Sequence, residues 1–149
     1  MAARNISQNA RPAAVLTVAV ALFLAAGASC VTGISLLFPH SILSHIWELN
    51  RPAYIAFARL GRFPGLLLLA LGALCCVIAI GLLRRKRWAW WAAVFLFSVH
   101  CLGDLVTVVF YGDVVKGGSG IVIASLFLFC LMMPTTRQYF DIRRGVPQG

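Results

Sequence analysis

Acidic residues are almost missing from this chain: four Asp and Glu stand among 149 residues, and all charged types together make up 11%. A soluble domain carries about a quarter charged residues and is roughly half apolar. Here 61% of the residues are hydrophobic and the mean hydropathy is +0.91. So large an apolar excess cannot fit inside one small core and must face lipid. The scarcity of charge excludes a soluble enzyme, a nucleic-acid module and a disordered tail. Also absent is any C-x-x-C pair, and Cys30, Cys75, Cys76, Cys101 and Cys130 all fall in apolar runs. Thiol exchange needs a thiolate at an accessible surface, so these five read as small packing residues. Neither a long internal repeat nor an inverted pair of span sets is present, which argues against a repeat-built transporter.

What the chain does have is four long apolar stretches. They run over about 13–38, 65–83, 88–110 and 119–133. A spanning helix needs roughly 20 apolar residues. The first three satisfy that, and the fourth does so only if its helix starts before Gly117 or continues beyond Pro134. The expected fold is an all-α, four-helix transmembrane bundle forming one integral membrane domain.

The net charge of +9 lies at the ends of those stretches. Four spans place both termini and the loop after span two on one side. That side holds Arg4, Arg11, Arg84, Arg85, Lys86, Arg87, Arg137, Arg143 and Arg144, against Arg51, Arg59, Arg62 and Lys116 on the other. The positive-inside rule then puts both termini in the cytoplasm of a cell inner membrane. Arg84, Arg85, Lys86, Arg87 and Trp88 are the expected lipid-headgroup contacts, with Trp90 and Trp91 completing an inner aromatic belt. Nucleic acid is not an expected partner. Ala26-Gly27-Ala28 resembles a signal cleavage site, but the apolar run continues through Ile34, Leu36, Leu37 and Phe38. The first span is expected to stay.

Between spans one and two, Ile42, Ile46 and Leu49 recur at helical spacing with Trp47 beside them, which predicts an amphipathic helix on the outer surface. Pro52 opens a second short helix over Ala53 to Leu60, and Gly61 to Gly65 breaks the chain before span two. His40, His45 and Glu48 spread over more than one helix face there, so no metal site is expected. In span one, Ala13, Thr17, Ala21, Ala25, Ser29 and Gly33 form a small-residue row that lets helices approach closely.

Span three carries the candidate site. His100, Asp104 and Thr107 share one helical stripe. An Asp in hydrocarbon costs about 2.5–3.5 kcal/mol on insertion scales, so such residues face a bundle interior or a wet cavity. One reading is a structural clamp, with Arg62 or Lys116 snorkelling to Asp104. The other is a proton-handling or polar-ligand site built on His100 and Asp104. No Ser or Cys is placed by sequence to make a nucleophile, so no catalytic residue is assigned and no cofactor is implied.

Several segments together resemble a family of uncharacterised small bacterial membrane proteins with four spans. They are Leu37-Phe38-Pro39, Ile46 through Pro52, Gly81-Leu82-Leu83-Arg84 running into Arg87-Trp88-Ala89, Gly103-Asp104, and Arg137-Gln138-Tyr139-Phe140. The resemblance covers most of the chain and brings no assigned activity. Members of that family often carry Asn where His100 stands, which implies that interest falls on Asp104.

The leading functional expectation is a non-enzymatic accessory protein or subunit of a membrane assembly, with a membrane-protein partner or a second copy of itself. A small proton-coupled carrier or channel using Asp104 and His100 comes second. An outer-leaflet lipid or quinone enzyme comes third, and it needs His40, His45, Glu48 and Asp104 to converge.

Overall fold

The computed structural model describes residues 12–38, 47–48, 51–58, 60–112 and 114–140. In chain order the helices are α1 (Ala13–Leu37), α2 (Arg51–Ala58), α3 (Phe63–Leu83), α4 (Arg87–Tyr111), α5 (Val114–Met132) and α6 (Pro134–Phe140). No strand occurs among the described residues, so the all-α class is as the sequence predicts. Spans expected at 13–38, 65–83 and 88–110 fall on α1, α3 and α4 to within two residues. These three are long and apolar enough to cross a membrane. The helix of the fourth span, expected over 119–133, starts earlier, at Val114, ahead of Gly117. Among the described residues a fourth crossing is counted when Gly117–Met132 and α6, bent by 60° at their junction, form one span. Pro134 explains the break, since it supplies no amide hydrogen to continue α5 but suits the first position of a new helix.

The described residues fall into two compact units, one drawn from Met1–Val20 and Ile78–Gly149, the other from Ala21–Val77. In the second unit, α1 and α3 meet through glycine. A Cβ built on Gly33 would lie 2.9 Å from the Gly65 carbonyl oxygen, and one on Gly65 would lie 3.0 Å from that of Gly33. Seven residues on, Gly72 lies against Cys30, Ala26 and Ser29 in the same way. Of the small-residue row in α1, Ser29 and Gly33 therefore make the contact, while Ala13, Thr17 and Ala25 are exposed. Drift of about 40° per four residues on a 3.6-residue helix explains why one row cannot serve throughout.

Trp47 ties the connecting segment to the end of α1. Its indole N–H donates to Ser35 Oγ at 2.9 Å, and the Ser35 hydroxyl donates to the Thr32 carbonyl at 2.7 Å. Its ring also packs on Tyr54 and Phe57, with centroids 5.5 and 6.1 Å away. The amphipathic helix expected around Ile42 to Leu49 lies mostly outside the described residues; the described pair, Trp47 and Glu48, forms a short 3₁₀ turn. The helix predicted from Ala53 starts at Arg51 instead, with Pro52 in its first turn.

In the first unit the basic run forms the turn between α3 and α4. Lys86 N–H bonds the Gly81 carbonyl and Arg85 N–H bonds that of Leu82, which is the Schellman pattern of a helix end. The residue it requires in the left-handed region is normally glycine, yet here it is Arg85, at φ 57°. A contact holds it there: the Arg85 guanidinium lies over the Tyr139 ring, 4.4 Å from its centroid. Gly112, at φ 67°, ends α4 by donating its N–H to the Val108 carbonyl, and α5 begins two residues later.

Candidate functional site

So short a connection makes α4 and α5 antiparallel neighbours. Their seam is a repeating set of pairs. Trp90 of α4 donates its indole N–H to the Leu131 carbonyl of α5 at 3.0 Å. Phe97 packs on Phe127 with ring centroids 5.1 Å apart. Asp104 meets Gly120, and Val108 meets Gly117. On α5 these residues, with buried Ala124, step by three and four, the spacing of one helix face. Asp104 thus occupies a seam position that the other pairs give to apolar groups.

Gly120 is what makes room for it. A Cβ built on Gly120 would lie 2.9 Å from Asp104 Oδ1 and nearer still to Cγ and Oδ2. The Asp104 side chain is 22% exposed, and its Oδ2 is buried without a hydrogen-bond partner among the described residues. His100 Nε2 stands 3.6 Å from that oxygen, close enough for charge attraction but too long for a hydrogen bond. The imidazole itself is 67% exposed. Thr107 donates its hydroxyl to the Gly103 carbonyl of its own helix at 3.0 Å. The structure therefore brings His100 and Asp104 together and commits the hydroxyl of Thr107 elsewhere.

Arg62 and Lys116 are the expected cationic partners of Asp104. Arg62 belongs to the second unit and Asp104 to the first. The side chain of Lys116 lies outside the described residues, as do His40 and His45. Among the described residues, no three His, Cys, Asp or Glu side chains come close enough to hold a metal ion. All five cysteines are free thiols.

Of the expected headgroup contacts, Arg84, Lys86, Arg87 and Trp88 are exposed, whereas Arg85 is half-buried on Tyr139. The Trp88 ring lies over Gly81. Arg87 also borders a recess completed by Trp90, Trp91, Arg137 and Phe140, which the sequence reading did not assemble. It also missed the glycines of α5, because Gly-Gly-Ser-Gly reads as a break ahead of a helix. The available signal was the spacing of Gly117, Gly120, Ala124, Phe127 and Leu131.

No family model matches the chain, and neither a curated protein nor a solved structure matches it. The site must be read from its own geometry.

That geometry predicts a specific rescue. Gly120→Ala should destabilise the protein by about 1–3 kcal/mol, the usual range for overpacking. Asp104→Ala in the same chain removes the group that the new methyl strikes and should recover most of that loss. Thermal unfolding in detergent, followed by tryptophan fluorescence, gives the double-mutant cycle. Additive effects would show that the carboxylate does not sit on Gly120.

Proposed function

We propose that the chain is a non-enzymatic subunit of a larger assembly in a bacterial inner membrane, with both termini cytoplasmic and α4 as its docking helix. The exposure of His100 carries this reading. Polar groups in spanning helices face a protein neighbour or a water-filled cavity, because hydrocarbon cannot satisfy them. Yet 6% of the most apolar stretch of α4 is buried, against 28% for α1 and 33% for α3.

The residues beside His100 suit a second helix. A Cβ on Gly103 would meet nothing within 4 Å, and Thr107 follows four residues later. Gly-x-x-x-Thr is a small-xxx-small pair that admits a close backbone, with His100 one turn away as the hydrogen-bonding group. At its start the same side of α4 is already closed by helix contact, since Ala89 packs on Gly81. The Lys/Arg bias and the four-span resemblance support the membrane and the orientation.

The test is native mass spectrometry of the protein extracted from its own host in mild detergent. Gly103→Leu should abolish the complex. His100→Leu should weaken it several-fold, since interhelical hydrogen bonds contribute about 0.6–1.7 kcal/mol. Val109→Ala, exposed and across the helix from His100, should leave it intact. A protein that runs alone, or one indifferent to Gly103→Leu, would end this reading.

The unpartnered Oδ2 of Asp104 favours a second reading, a proton-coupled carrier or channel. Proton flux into liposomes that is unchanged by Asp104→Asn removes it.

A further inference from the structure

The recess at the start of α4 lies at the opposite end of that helix from Asp104. Arg87, Trp90, Trp91, Arg137 and Phe140 line it, and it encloses about 70 Å³. Pockets that surround whole small molecules measure about 300–1,000 Å³. A space this size admits one small group, while the rest of its ligand stays outside.

Its charge says which group. Arg87 and Arg137 are both exposed, and neither guanidinium has an ion-pair partner among the described residues. The described acid of this unit, Asp104, stands 17 residues along α4 from Arg87, about 25 Å at the helical rise. Arg87, Trp90 and Trp91 belong to the first turns of α4, so the recess lies beside the positive end of a 25-residue helix whose N-cap, Lys86, makes no side-chain capping bond. Two guanidinium forks beside a helix N-terminus suit a tetrahedral oxyanion.

The walls are fixed before any ligand arrives. Trp90 is 8% exposed and held by its bond to the Leu131 carbonyl. Phe140 packs edge-on against Tyr139, whose ring is covered by Arg85. The same short helix carries two buried hydroxyls, Thr136 and Tyr139, without hydrogen-bond partners among the described residues. Trp91, 58% exposed, gives the mouth the amphipathic rim of a membrane interface.

We propose that this recess binds a phosphate group, presented by the headgroup of an anionic phospholipid. The pairing of bare guanidinium groups with the exposed Trp91 indole favours a ligand that has an anionic end and a lipid body. This site is independent of the docking face on α4, because it involves neither His100 nor Gly103.

The experiment measures retained lipid by native mass spectrometry of purified protein exchanged into detergent with phosphatidylglycerol or phosphatidylcholine. Phosphatidylglycerol should be retained selectively. Arg137→Gln and Arg87→Gln should each lower retention about tenfold, the loss of one charge-assisted hydrogen bond. Arg137→Lys, which keeps the charge but not the fork, should fall between. Arg84→Gln removes equal charge outside the recess and should change retention less than about twofold, as a single surface contact does. Unfolding temperatures check that each variant is folded.

Equal losses in Arg84→Gln and Arg137→Gln would overturn the site in favour of diffuse attraction. Equal retention of phosphatidylcholine would overturn the anionic headgroup. Displacement of the lipid by millimolar inorganic phosphate would overturn the lipid source and make free phosphate the ligand. Asp141, next in sequence to Phe140, lies outside the described residues. A large gain in retention with Asp141→Asn would show that this carboxylate already fills the recess, and would also overturn the proposal.

Discussion

Gly117→Ala should be the most damaging one-methyl change in the α4–α5 hairpin. The added Cβ would lie 2.7 Å from the Asp104 carbonyl oxygen and 2.5 Å from a methyl of Val108. At Gly120 the obstacle is a side chain, which can be deleted or can rotate. At Gly117 part of the obstacle is backbone, so relief requires the two helices to separate. Separation also opens the Asp104–Gly120 contact one turn away. We expect a loss of about 3 kcal/mol, the upper end of the overpacking range. No substitution at Asp104 should restore it, because the carbonyl belongs to every residue. Thermal unfolding of Gly117→Ala beside Gly117→Ala/Asp104→Ala checks this. Rescue by the second change would show that the carboxylate, and not the backbone, sets the helix spacing.

The second large effect is expected in the other unit. Gly33 and Gly65 each point their missing side chain at the carbonyl oxygen of the other, so either alanine strikes backbone. Gly33→Ala also meets Leu69, at 3.0 Å from its Cγ. The expected loss is about 2–3 kcal/mol. Gly27→Ala is the matched control, since its Cβ would meet nothing within 4 Å. Its better helix propensity should leave stability unchanged or slightly raised. Thermal unfolding of Gly33→Ala beside Gly27→Ala in detergent, followed by tryptophan fluorescence, checks this. Equal stability of Gly33→Ala and Gly27→Ala would refute the close approach.

The spans were legible because the bilayer imposes length and composition together. Some twenty apolar residues bounded by Arg84 to Arg87, or by Gly112, have few other readings. Glycine roles were not legible, because glycine signals both a turn and a close helix contact. Gly61 and Gly112 serve as turns, with φ 68° and 67°, while Gly65, Gly117 and Gly120 lie within helices and serve as contacts. Only a helix partner separates the two uses.

The stripe of His100, Asp104 and Thr107 shows a finer limit. Spacing placed all three on one side of α4. It could not show that Asp104 turns to α5, that His100 is left outside, or that Thr107 is bound to its own helix. Those directions depend on where the neighbouring helix lies. The meeting of Arg137 with Arg87 was not legible for a related reason: Arg137 counted only among the charges of one side, and the bend at Pro134 that brings it to the recess with Arg87 has no counterpart in hydropathy.

The two-residue link at Gly112 bears on how the chain enters the bilayer. A nascent α4 inserted alone would present Asp104 to lipid, at about 2.5–3.5 kcal/mol. With α5 beside it, the carboxylate is set against Gly120, and most of that exposure ends. Entry of α4 is therefore favoured when α5 has already emerged from the ribosome. Translation of α5 governs when the acid enters the bilayer.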